Sequence, residues 1–200
     1  MRMSKIISAV LHPIFLPTWM MVVMVLSGII RFMPGNDLTF ILSALVMTCL
    51  FPGLVVVMMK RWKIVSSLEL DSRDDRVGPI FLIVMALYGA TRMFRNVPVL
   101  AMYEFYLSAT IVVSVLAFVV TFFWKISLHA LGWGGFVGSL FIMTTISMHA
   151  FLPYFLVSIV LAGIAGSARL KEKSHSNAQL YSGYAAGFLV VMILYFVCLN

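Results

Sequence analysis

Apolar residues fall along the chain in seven long runs, at about residues 14–33, 38–59, 79–91, 97–124, 130–149, 152–167 and 179–199, with polar residues confined to short stretches between them. None of the runs alternates with period two, and most approach the ~20 residues that a helix needs to cross a hydrocarbon core. Periodicity cannot separate helix from strand in uninterrupted apolar runs, but length favours helices, which satisfy every backbone group within one segment in lipid. The expected fold is an all-α, polytopic integral membrane helical bundle of six to seven spans. The count is open at two places: the run after Pro79 is short, and only Ala150 and Pro153 divide the fifth run from the sixth, so either place could hold a bent or re-entrant segment.

Composition agrees with the pattern. Hydrophobic residues make up 62% of the 200 residues and charged residues 10%, against about 25% charged in soluble domains. With a mean hydropathy of +1.07, the chain cannot cover a water-facing surface with polar groups. One transmembrane domain over residues 1–200 uses the whole length. The opening stretch MRMSKIISAVLHPIFLP has the positive start of a signal peptide, but His12, Pro13 and Pro17 interrupt its apolar part and no small-residue cleavage site follows; it is expected to be retained. Cys49 and Cys198 lie inside apolar runs and read as small packing residues, with neither a disulfide framework nor a metal site in view.

Charge is unevenly placed. Residues 60–79 hold five basic and four acidic side chains, the stretch WKISLH (124–129) holds a lysine, a serine and a histidine, and ARLKEKSHSNAQ (168–179) holds a third cluster. Two spans separate each cluster from the next, so all three, with the opening residues, are expected on one membrane face. That face collects eleven basic residues, against Arg31, Arg92 and Arg95 opposite. A meeting of Arg73, Arg76, Lys125, Arg169, Lys171 and Lys173 would make a positive pocket suited to phosphate. Ordinary positive-inside residues and lipid-headgroup contacts are the plainer explanation of such charges. The net +7 lies at a lipid interface, so nucleic-acid binding is not expected. Within two of the clusters stand His129 and His175, the side-chain type best suited to act as nucleophile or proton donor near neutral pH.

The spacing of these residues resembles the type 2 phosphatidic acid phosphatase family of membrane lipid phosphatases. That family's signature has three parts: Lys, six residues, Arg-Pro; then Pro-Ser-Gly-His; then Ser-Arg, five residues, His, three residues, Asp. Arg169, five residues and His175 reproduce the third spacing, and Gly183 and Gly187 follow it. Ser127 and His129 keep the second, and Arg73, Arg76 and Pro79 stand at the first. Gln179 occupies the place of the family aspartate, Ala168 that of the serine, and the first-part lysine has no counterpart.

The resemblance implies that His175 attacks a phosphate monoester or diphosphate carried by a lipid, that His129 protonates the leaving alcohol, and that Gln179 orients His175. Arg73, Arg76, Arg169, Ser127 and, as a helper, Lys125 would hold the phosphate oxygens. No metal and no cofactor are implied. A catalytically silent relative that binds an anionic lipid or a partner membrane protein is the alternative, favoured by Gln179 and the missing lysine. A transporter or channel lacks the expected intramembrane charge chain. The expected location is a bacterial inner membrane, with a modest cytoplasmic preference of the site from loop charge.

Other features have plainer readings. His12 and His149 stand at helix ends away from the clusters and read as packing residues. The glycines of LGWGGFVG (131–138) read as helix contacts rather than a phosphate loop, since the six-residue signature with Lys and Ser or Thr is absent. The fifteen methionines read as adaptable core filling.

Overall fold

A computed structural model describes residues 2–32, 36–66 and 74–199. Among these residues the chain is helical and has no strand. Seven segments are long and apolar enough to cross a membrane: Met3–Leu26, Asp37–Arg61, Asp75–Phe94, Pro98–Thr121, Leu128–Ile146, Met148–Lys171 and Asn177–Cys198. The chain is an integral membrane protein, and the upper of the two expected span counts is the one realised.

The first two spans are broken helices, each for a local reason. Helix α1 (Arg2–Val10) and helix α2 (Leu16–Leu26) are joined by a 3-10 turn, Pro13–Phe15. Pro13 drives the preceding residue out of the helical region, and His12 accordingly lies at φ −67°, ψ 134° and caps the turn by accepting the Ile14 N–H on Nδ1 at 3.2 Å. Helix α1 exposes Met3, Ile6 and Val10 and buries Ser4 and Ser8. Its apolar stripe faces outward, the inverse of a helix packed in water and the arrangement expected against lipid.

The second span is helix α3 (Asp37–Leu45), a π turn over Val46–Leu50, and helix α4 (Phe51–Arg61). Pro52 has no N–H to continue the ladder, and just before it the Phe51 N–H reaches back five residues to the Val46 carbonyl.

The remaining spans are straighter. Helix α5 (Asp74–Phe94) is longer than its apolar run of 79–91, because the polar residues before Pro79 belong to its first turns. Pro79 removes one helical hydrogen bond there rather than ending the helix. Helix α6 (Ala101–Thr121) follows a 3-10 turn, Pro98–Leu100. Helix α7 (Leu128–Ile146) and helix α8 (Met148–Lys171) meet at Ser147, so the boundary lies ahead of Ala150, and Pro153 sits inside α8. These are two full spans, and neither they nor α5 form a re-entrant segment. Helix α9 (Asn177–Leu199) closes the chain.

Helix α7 is the centre of the bundle: 67% of its membrane-length window is buried, against 22% for the α9 span. Glycine allows this. A Cβ at Gly134 would lie 2.3 Å from the Tyr184 carbonyl oxygen, and one at Gly187 would lie 2.1 Å from the Leu131 carbonyl oxygen. The α7 and α9 backbones therefore touch, as small-residue seams permit in membranes. The glycines of 131–138 are packing residues, as expected. Tyr184 adds a hydrogen bond from its hydroxyl to the Ala162 carbonyl, tying α9 to α8. Trp133 Nε1–H donates to the Leu11 carbonyl at 3.0 Å and holds the α1–α2 junction on α7.

The seam yields a direct test. Gly187→Ala should destabilise the protein by ~3 kcal/mol or more, since the clash is with backbone that cannot turn aside. Gly163→Ala on α8, where nothing lies within 4 Å of the added carbon, should be neutral or stabilise by ~0.5–1 kcal/mol. Thermal midpoints in one detergent compare them, and equal midpoints would refute the seam.

Candidate functional site

The three basic clusters meet at one end of the bundle. Arg76 in α5 donates from Nη1 to the Ile126 carbonyl at 3.0 Å, and the Ser127 N–H donates to the Gln179 carbonyl at 3.2 Å. These bonds join the starts of α5, α7 and α9.

The turn between α8 and α9 explains the spacing of Arg169 and His175. Helix α8 ends in a Schellman motif: the Ser174 N–H bonds to the Arg169 carbonyl at 3.3 Å, the Lys173 N–H to the Leu170 carbonyl at 3.0 Å, and Lys173 takes φ 54°. Helix α9 then begins at once with a capping box over Ser176–Gln179. Ser176 Oγ accepts the Gln179 N–H at 3.3 Å, and Gln179 Oε1 accepts the Ser176 N–H at 3.1 Å. His175 is pinned between the two motifs.

Gln179 has a second task. His175 Nδ1 lies 3.3 Å from the same Oε1. The backbone donor at Ser176 fixes this oxygen as an acceptor, so His175 carries its proton on Nδ1 and leaves Nε2 unprotonated. His175 is 8% exposed. Burial, then the nearby Arg169 and Arg76 charges, lower its pKa to about 4 from 6.5; the Gln179 hydrogen bond opposes the shift, and Lys125 adds the smallest lowering influence.

Arg169 is buried and pairs with Glu172 through Nη1 and Oε2 at 2.9 Å. Its Nε and the other Glu172 oxygen are buried without a hydrogen-bond partner. Arg76 is 2% exposed. Asp75, beside it, accepts the Ser66 N–H at 2.9 Å and the Ser66 hydroxyl, fastening the end of α5 to the residues after α4.

Arg76, Arg169, Glu172, His129 and His175 line one cavity of about 310 Å³, which runs inward from this polar end to apolar walls that include Ile83, Leu87, Tyr106, Val113 and Phe136. Lys5, Ser8 and His12 of the first span line it too. His129 donates from Nε2 to the Ser8 carbonyl at 3.3 Å, and its ring meets that of His12 edge-on, with centroids 4.8 Å apart.

Several expectations change here. His12 is not remote from the clusters; the His12–Pro13 break turns its ring into the cavity wall against His129. Ser127 caps α7 by accepting the Ala130 N–H at 3.4 Å, is fully buried, and does not line the cavity. Lys125, half-buried, and the exposed Lys171 and Lys173 are likewise outside the lining. Arg73 lies outside the described residues. Lys5 belongs to the opening residues expected at this end, but its place in the lining, with Ser8 and His12, was hidden by sequence distance; the i, i+3 spacing of Lys5 and Ser8 marks one face of α1.

The fold and this cavity define a class: a polytopic helical membrane protein with a basic, histidine-bearing cavity open to an apolar interior. Comparison with known protein families, with curated proteins and with solved structures finds no match to this chain.

The low pKa of His175 has a consequence for stability. The unfolded chain, titrating near 6.5, binds more protons than the folded chain between about 6.5 and about 4, so stability falls as pH is lowered through that window. The thermal midpoint should decline there, and His175→Gln should decline less steeply; parallel curves would contradict the assignment.

Proposed function

We propose that the protein is a membrane lipid-phosphate phosphohydrolase that uses His175 as its nucleophile. The observation that carries this reading is the placement of His175, with Nε2 unprotonated, among Arg76 and Arg169 at the polar end of a cavity whose inner walls are apolar. A headgroup phosphate fits the cations and an acyl or prenyl chain fits the walls.

In the reaction, the Nε2 lone pair attacks phosphorus. The bond between phosphorus and the alcohol oxygen breaks, and the departing alcohol takes the Nδ1 proton of a doubly protonated His129, whose Nε2–H stays on the Ser8 carbonyl. Arg76 and Arg169 hold the equatorial oxygens as charge develops on them. Water then attacks the phosphohistidine and gives a proton back to His129; its oxygen bonds to phosphorus, the N–P bond breaks, and inorganic phosphate leaves with both histidines restored. Gln179 orients the ring without adding negative charge. The excess of basic residues at this end of the bundle supports, by the positive-inside preference, a site at the cytoplasmic face of a bacterial inner membrane.

A second reading, binding of an anionic lipid without turnover, draws on the Arg169–Glu172 pair, which partly neutralises one of the two arginines.

Phosphate release in lipid nanodiscs from phosphatidate, phosphatidylglycerol phosphate and undecaprenyl diphosphate separates the readings. The parent should release phosphate from at least one of them and His175→Ala from none; no release, or equal release, sinks the hydrolytic reading. Gln179→Ala should lower kcat at least about tenfold. Gln179→Glu keeps the capping box and, by placing an anion beside the imidazole, should raise the His175 pKa, read by 15N-histidine NMR.

A further inference from the structure

Helix α1 lies outside all three signature stretches, yet it forms one wall of the cavity. Lys5 and Ser8 stand three residues apart on one face of α1, His12 follows at the break beyond that helix, and all three line the cavity. The opposite face, with Met3, Ile6 and Val10, is exposed; Lys5 is also exposed, at the cavity's rim, and Ser8 is buried. Two bonds from α7 fix this orientation: His129 Nε2–H to the Ser8 carbonyl and Trp133 Nε1–H to the Leu11 carbonyl. A rotation of α1 that took Lys5 out of the cavity would break the first and bury an apolar stripe that suits lipid.

The charges in the cavity ask for an anion. Among the described lining residues the ionised groups are Lys5, Arg76 and Arg169 against the single carboxylate of Glu172, with His175 neutral above about pH 4. Two orphaned donors stand in the same lining: Ser8 Oγ on α1 and Arg169 Nε on α8 are both buried with no hydrogen-bond partner. Buried donors without partners cost stability unless a ligand satisfies them. A tetrahedral oxyanion supplies several acceptors at once, and both an ammonium and a hydroxyl suit it.

We propose that α1 completes the anion pocket, with the Lys5 ammonium and the Ser8 hydroxyl contacting the phosphate group that Arg76 and Arg169 hold from the other side. The ligand class is a phosphate monoester dianion, as a lipid headgroup or as inorganic phosphate. This rests on the phosphate reading of the cavity, not on its hydrolytic chemistry.

The test is calorimetric titration of the purified full chain, in phosphatidylcholine nanodiscs at fixed ionic strength, with inorganic phosphate as the probe. Lys5→Ala should weaken binding about tenfold and Ser8→Ala severalfold. Lys5→Arg should restore most of it, and Lys60→Ala, at an exposed position on α4, should leave it within about twofold. A melting curve of each variant shows that it is folded. Parent-like binding by both Lys5→Ala and Ser8→Ala, with loss in Arg169→Ala, overturns the proposal and leaves the phosphatase reading standing. Lys5-dependent binding in a chain that releases no phosphate from any lipid supports the proposal and removes hydrolysis. A parent that binds no phosphate overturns both. Phosphatidate in the nanodisc should compete with the probe if the headgroup is the natural occupant; binding that depends on Lys5 but is not competed supports the pocket and assigns it to free phosphate.

Discussion

The site hangs on Gln179. Its side-chain oxygen accepts both the Ser176 N–H and the His175 Nδ1–H, and its backbone carbonyl accepts the Ser127 N–H. One residue therefore starts α9, selects the tautomer of His175 and holds the start of α7 beside it. A neutral amide can do all three because each asks only for an acceptor. A carboxylate would serve the same bonds and add charge, whereas a shorter side chain at this third helical position would not span the capping box. Gln179 is thus explained by local structure before any chemistry is considered, and its effect on His175 comes with that geometry.

Placing arginine within the bundle is costly, and the structure shows how the cost is met in part. A buried guanidinium needs its donors satisfied and its charge balanced. Arg76 gives one donor to the Ile126 carbonyl, and Arg169 gives one to Glu172. The Nε of Arg169 is left over. Burial keeps His175 neutral for the same electrostatic reason: a third cation beside two arginines, at a buried position, is disfavoured. A neutral His175 and an unpartnered Arg169 Nε–H therefore stand together at this buried, positively charged end of the bundle.

Most of the fold was legible because lipid imposes a simple rule on sequence. Each of the seven apolar runs became a span, and the even spacing of the basic clusters put them at one end. Boundaries were less legible. The start of α5 reads as loop because Asp74 to Arg76 are charged, yet these residues form its first turn where it borders the site. The break between α7 and α8 falls at Ser147, where nothing in the apolar pattern marks it. Within the site, His175, Gln179, Arg169, Arg76 and His129 could be found by spacing, because each pair is set by a turn or a helix start. Ser127 looked like a ligand, but its hydroxyl serves the helix it begins. The opening residues were expected at this end, but that Lys5, Ser8 and His12 wall the cavity was not legible, because the bond that seats them links residues 121 positions apart.

The glycine seam explains why these local motifs add up to a site. Ser127 and His129 stand at the start of α7, and His175 and Gln179 at the start of α9, so their separation is set by how closely the two helices run. Backbone contact at Gly134 and Gly187 fixes that distance deeper in the bundle, where no site residue is found. With side chains at the seam, helix axes would stand 8–10 Å apart or more, and the Ser127 N–H could not reach the Gln179 carbonyl. Both helices of the seam also line the cavity, through Gly135 and Phe136 of α7 and Val191 of α9. Its other apolar walls come from α2, α5 and α6, where Leu16, Leu87, Tyr106 and Val113 line the cavity. Small residues on one face of α7 therefore hold the polar end together, and larger apolar side chains of the surrounding helices give the cavity its inner walls.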